Sequence, residues 1–149
     1  MFVKFVKVIV LFALAVLLCA CGEKKISLFE GDVTATVSYA LSGREYTVKY
    51  SRLGESEKLE VLEPKRIRGL IAERENGEVT VSYTDLEYTS VSDKMFAPFE
   101  LFSPMTVKKD GDNSFVSEGG DVRVCFDGET PKTLSGNNFT LEILEFREE

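Results

Sequence analysis

The strongest constraint in this sequence is a two-residue period. From Val33 onward the apolar side chains Val33, Ala35, Val37, Tyr39 and Leu41 alternate with Thr34, Thr36 and Ser38. Alternation of this kind sends one set of side chains to each face of an extended chain, and β-branched and aromatic residues suit the half-buried surface that results. The pattern resumes after Ser42-Gly43, where Tyr46, Val48 and Tyr50 alternate with Thr47, Lys49 and Ser51, so the two runs predict a hairpin. Leu59 and Val61 repeat it weakly before Pro64, which cannot donate to a central ladder and marks a strand end.

Further along, Ile67 to Ala72 is apolar with Gly69 in its middle, a position where a strand bulges or another backbone comes close. Asn76-Gly77 is the hairpin signal of a type I′ turn, whose two central residues both need positive φ. Val79, Val81 and Tyr83 hold an odd phase and Leu86 and Tyr88 an even one, which predicts a bulge near Thr84 and Asp85. Lys108 to Gly120, rich in Gly and Asp, reads as an exposed hairpin loop. Val122 to Phe126 and Phe139 to Phe146 supply the last strands, joined through Pro131 and a Gly136-Asn137-Asn138 turn.

One segment breaks the alternation. Between Asp93 and Met105, the residues Met95, Phe96, Phe99 and Phe102 fall on one face of a short helix, with Asp93 as N-cap, Pro98 in its first turn and Pro104 ending it. The expected fold class is therefore mainly β (α+β): roughly seven to nine strands in a curved antiparallel sheet whose inner face receives one short helix.

The N-terminus carries a different signal. Met1 to Lys7 holds two lysines and no acid, and Val8 to Leu18 runs eleven residues without a polar side chain. A membrane span needs roughly 20 apolar residues, so this shorter run fits a signal peptide's h-region. It is followed by Leu18-Cys19-Ala20-Cys21, which resembles the lipobox of bacterial lipoproteins: an aliphatic residue, a tolerant position, a small residue, then the modified cysteine. The resemblance implies cleavage before Cys21 and lipid on its sulfur, with the protein held at the extracytoplasmic face of the cell membrane. Two or three acyl chains anchor far more firmly than one, since each buried methylene contributes about 0.8 kcal/mol. Residues 1–20 are then a signal peptide, 21–26 a lipidated tether, and 27–149 a single β-rich domain.

Composition narrows the partners. Two of the 18 basic residues lie in 1–20, so 16 remain against 25 acidic ones, a formal charge of −9 on the 129 residues that follow. Such a surface repels phosphate backbones, so no nucleic acid is expected as a partner. Cys19 leaves with the signal and Cys21 is alkylated, which leaves Cys125 as a lone thiol inside Val122-Arg123-Val124-Cys125-Phe126, where it reads as a small buried strand residue. The sequence has no histidine, which removes Ser-His and Cys-His nucleophile activation. Asp110-Gly111-Asp112-Asn113-Ser114 with Glu118 and Asp121 has the look of a calcium loop, but Phe115 stands where such a loop needs glycine, so a plain turn is expected. No cofactor, metal or enzymatic activity is expected.

The stretch Glu63-Pro64-Lys65-Arg66-Ile67-Arg68-Gly69-Leu70, followed by Val79 to Tyr83 and by Leu86-Glu87-Tyr88, resembles the LolA and LolB-like superfamily in its order of curved meander, late aromatic helix and closing hairpins. The resemblance implies a half-barrel that holds a lipid or acyl chain. Tyr39, Tyr50, Tyr83, Phe96, Phe99 and Phe102 are the residues expected inside the curved sheet. They either line an apolar pocket or fill a solid core. The two functions carried forward are a lipid-anchored binding module for an apolar ligand and an accessory envelope lipoprotein that binds a protein partner and carries nothing.

Overall fold

A computed structural model describes residues 25–89 and 91–149. The signal peptide and Cys21 lie outside the described residues. Among those described, twelve strands form one antiparallel sheet: β1 Lys25–Leu28, β2 Val33–Leu41, β3 Arg44–Leu53, β4 Ser56–Glu63, β5 Ile71–Glu75, β6 Glu78–Tyr83, β7 Leu86–Tyr88, β8 Met105–Lys109, β9 Ser114–Ser117, β10 Arg123–Asp127, β11 Thr130–Ser135 and β12 Thr140–Glu148. Their spatial order is β1-β8-β9-β10-β11-β12-β2-β3-β4-β5-β6-β7, so the sheet does not close and its edges are β1 and β7.

The hairpins follow from local chemistry. Ser42 and Gly43 (φ 52° and 74°) join β2 to β3, and Asn76 and Gly77 (φ 51° and 81°) join β5 to β6, each as a two-residue turn with both centres left-handed. Gly69, at φ 84°, and Leu70 together face Val61: the Gly69 N–H donates to the Val61 carbonyl, and the Val61 N–H to that of Leu70. Two residues opposite one is the bulge that the glycine predicts, preceded by a 3₁₀ turn at Lys65–Ile67.

Several expectations need correction. The phase change after Tyr83 is a second chain reversal and not a bulge: Tyr83 pairs with Leu86 across a turn with Thr84 at φ 54°. The stretch 108–120 holds most of a β8–β9 hairpin, and Pro131 sits inside β11 instead of in a loop. These short strands bring the total above the seven to nine expected. Lys25 and Ile26 belong to β1, paired with Lys108 and Val107, so strand structure begins two residues before the expected tether ends. Cys125 is half-buried, beside a bulge at Phe126.

The helix, Asp93–Phe102, is 3₁₀ throughout. A 3₁₀ helix has three residues per turn, so Phe96, Phe99 and Phe102, spaced by three, stack along one face, and all three are fully buried. Ser92, not Asp93, is the cap: its backbone is extended and its hydroxyl accepts from the Lys94 N–H at 3.4 Å. Pro98 lies mid-helix instead of in the first turn. The cost is one missing donor, and the ring is buried in exchange.

This helix carries the chain from β7 at one edge to β8 beside the other, crossing the inner face of the sheet. Strands lie about 4.8 Å apart, so β5 and β11, five steps apart, would sit roughly 24 Å from each other in a flat sheet. The helix touches both. Arg74 of β5 lies over the Phe96 ring at 4.8 Å, and Gly136, just past β11, is so near Leu101 that a Cβ there would come within 2.8 Å of its Cδ2. Phe96 and Leu101 are only about 10 Å apart along the helix, so the sheet curves around it. Buried side chains from β2 to β6 and from β10 to β12 then meet the phenylalanines in one continuous core.

The packed end of the helix is also pinned by polar groups. The Arg52 guanidinium donates to the carbonyls of Phe102, Phe29 and Gly31, tying the helix terminus to the corner between β1 and β2. Gly31 is required there, since a Cβ would lie 2.1 Å from the Glu149 carbonyl oxygen. On the other flank Arg74 pairs with Glu57, which also accepts from the Tyr50 hydroxyl at 2.8 Å.

Candidate functional site

The curve of the sheet leaves an apolar hollow, a cleft of about 400 Å³. Its floor is formed by β2 to β5 through Tyr39, Leu41, Tyr46, Val48, Leu59, Val61 and Ala72. The 3₁₀ turn and bulge add Ile67 and Leu70, the first half of the helix adds Lys94, Met95 and Pro98, and Phe139 closes the remaining side. The volume falls within the range of about 300 to 1,000 Å³ typical of small-molecule sites, which are likewise mostly apolar with a few polar groups. Two other hollows are lined chiefly by polar and charged side chains: one of about 260 Å³ includes Glu57, Lys58, Glu73 and Arg74, and one of about 490 Å³ includes Thr34, Thr36, Lys49, Glu145 and Arg147. The larger volume of the latter does not make it a site, because its alternating polar residues are what a solvated sheet face presents.

Of the six residues expected inside the sheet, Tyr39 lines the cleft and the other five do not. Tyr39 pairs with Tyr46 across β2 and β3, and the two rings stack at 5.7 Å. Burial, and then the neighbouring Tyr46, push the Tyr39 hydroxyl up to about 12, so it is a neutral donor at ordinary pH. Tyr39 also meets Phe99 edge-on at 5.7 Å, and from there the rings run inward: Phe99 stacks on Tyr50 at 5.0 Å and Tyr50 on Phe102 at 5.4 Å. Phe102 in turn contacts Phe29 and Phe146. Tyr50, Phe96, Phe99 and Phe102 are thus core. Tyr83 stands apart on β6, its hydroxyl donating to the Arg66 carbonyl at 3.0 Å.

Lys94, Met95, Ile67, Leu70 and Phe139 are lining residues that the sequence pattern did not single out for this role. The available signal was weak: Ile67 and Leu70 lie close to the bulge glycine, and Lys94 and Met95 lie in the helix beside the three-residue phenylalanine face instead of on it.

The acidic stretch is not a single turn: β9 divides it into two, at 110–113 and 118–122. The Ser117 hydroxyl donates to the Asp121 carboxylate at 2.6 Å and, with that residue's own backbone N–H, holds the carboxyl below its usual range. Asp110 pairs with Arg123 at 2.7 Å. Among the described residues no three acidic or cysteine side chains gather as a metal site, and no helix is long and apolar enough to cross a membrane.

The chain matches no family model and no curated protein. In structure it is similar to an uncharacterized conserved protein from Thermus thermophilus, at 12% identity and a TM-score of 0.48, over 80% of this chain and 79% of that one. A likeness this distant carries no argument about function.

Proposed function

We propose that this protein is a non-enzymatic binding module, anchored at the extracytoplasmic face of the cell membrane by lipid on Cys21, that holds a lipid or acyl chain in a half-barrel of the LolA and LolB-like kind. The observation that carries the reading is the apolar cleft of about 400 Å³ between the curved sheet and the first half of the helix. A hollow of this size that opens to solvent leaves apolar side chains facing water, and an apolar ligand seated there would remove that surface from it. The exposed edge of the cleft at Leu41, which is 45% exposed, offers a way in.

Uptake of a fluorescent fatty-acid probe by the purified chain tests this. Saturable uptake is expected, and it should be lost in Met95→Trp, whose larger ring fills the cleft from a half-buried position on the helix. An untouched chain that takes up no probe would remove the reading. The anchor is tested separately: Cys21→Ser should eliminate acyl chains from the mass of the membrane-extracted protein.

A second reading, an accessory envelope lipoprotein that binds a protein partner, is favoured by the edge strand β7. There Leu86 and Tyr88 are 55% and 59% exposed, and an edge strand offers unpaired backbone groups to another chain. Cross-linking from position 88 in membranes would capture such a partner, and its absence leaves the first reading alone.

A further inference from the structure

The polar groups of the cleft are few and of one kind. Of the thirteen lining residues, Lys94 is the one that carries a charge, and Tyr39 and Tyr46 supply the other polar side-chain groups. Among the described residues Lys94 forms no ion pair, and neither tyrosine hydroxyl makes a hydrogen bond. A second cation, Arg44, shares the sheet face of the cleft without lining it. Arg44 lies directly across from Leu41 in the β2–β3 register, and paired residues share a face, so Arg44 is on the cleft side of the sheet. Its own ion-pairing is likewise absent among the described residues. Two neighbouring acids point elsewhere in the pattern: Glu45 is one residue on from Arg44 along β3 and so faces the opposite side, and Asp93 is adjacent to Lys94, a spacing that does not bring helical side chains together. Glu63, two residues on from Val61 and so on its face, is already paired with Arg68.

In a chain with a formal charge of −7, an apolar hollow whose one charged lining residue is a lysine departs from the general character of the surface. We infer that the ligand of this cleft is a single-chain amphiphile with a carboxylate head, its tail lying between β2–β5 and Met95 and Pro98 and its head at Lys94, with Arg44 reinforcing the field. This deepens the acyl-binding reading and rests on it. A carboxylate presents two oxygens with about four acceptor positions, which one ammonium and two hydroxyls can occupy. The long stem of Lys94 suits the place, because a lysine can lay its methylenes on an apolar wall and keep its charge in water.

The test uses the whole chain in its membrane and two photo-crosslinking probes that differ only at the head, a diazirine-bearing myristate and the corresponding alcohol. Both should label peptides of the cleft, the acid at lower concentration. Lys94→Met should raise the myristate concentration needed for half-labelling by about fivefold, the scale of one partly exposed charge pair, and Lys94→Glu should raise it further. Both substitutions should move the alcohol by a smaller factor than the acid, because a neutral head forms no charge pair, and since Lys94 is exposed, both variants should keep the β-sheet circular dichroism of the parent. If both probes label the cleft and the Lys94 variants shift neither, the head-group inference fails while the acyl site stands. If neither probe labels the cleft, the acyl site falls and the head group falls with it.

Discussion

The two ends of the aromatic helix meet opposite surroundings. Around Phe99 and Phe102 the space is solid: Tyr50, Phe29 and Phe146 contact them ring on ring, and Arg52 ties off the terminus with hydrogen bonds to three carbonyls. Around Met95 and Pro98 the same helix overlooks a hollow of about 400 Å³. A single element thus supplies a fixed support at one end and the wall of a cavity at the other. The lesson is that the helix phenylalanines are scaffold and not binding surface. What lines the hollow is a set of aliphatic side chains with Met95, Phe139, two tyrosines and a lysine.

This contrast is open to a direct attack by truncation. Phe102→Ala removes a fully buried ring from a close-packed cluster and should cost about 3 to 5 kcal/mol in equilibrium denaturation. Met95→Ala, half-buried beside a space that already exists, should cost about 1 kcal/mol, because few contacts are lost and little new cavity forms. Equal costs at the two positions would mean that the hollow is filled in solution. A smaller effect than that of Phe102→Ala is expected from Arg52→Met. It strips a cationic donor from the Phe29, Gly31 and Phe102 carbonyls but keeps an apolar stem, and should cost about 2 to 3 kcal/mol, read from the same denaturant midpoint. The loss should appear equally with and without bound acyl probe, since Arg52 serves the packed end.

The sheet was legible in the sequence wherever the signal was local. The alternation from Val33 to Leu41 marks β2 with its bounds, and Asn76-Gly77 and Gly69 mark a turn and a bulge whose φ values are as the residue types require. Less legible were features set by tertiary partners. Ser114 to Ser117 is too short to show a period and Thr130 to Ser135 is mostly polar, and both become strands because β10 offers them its two sides. The three-residue spacing of Phe96, Phe99 and Phe102 was visible, but an α-helix and a 3₁₀ helix both tolerate it, and the choice falls to the sheet that wraps it. The cleft was the least legible part. Ile67, Leu70, Met95 and Phe139 come from separated places in the chain, and no local pattern announces that they surround the same space.

Titration separates the two ends more gently. Tyr39, on the cleft, is raised from 10.0 to about 12, and Tyr50, in the packed end, is raised further, by burial first and then by its hydrogen bond to the Glu57 carboxylate. For each, folding favours the protonated phenol. The contribution is fully present below pH 10, where the unfolded chain also holds the proton, and for Tyr39 it is lost as pH climbs from 10 through about 12, where only the unfolded chain has released it. Stability measured by denaturant across that window should therefore fall in the parent protein. Tyr39→Phe should flatten part of the decline and Tyr50→Phe a larger part, because the more perturbed phenol resists ionisation more strongly. If Tyr39→Phe flattened the decline more than Tyr50→Phe, the cleft wall would be the drier of the two places, and a helix with one hollow end and one solid end would no longer describe the molecule.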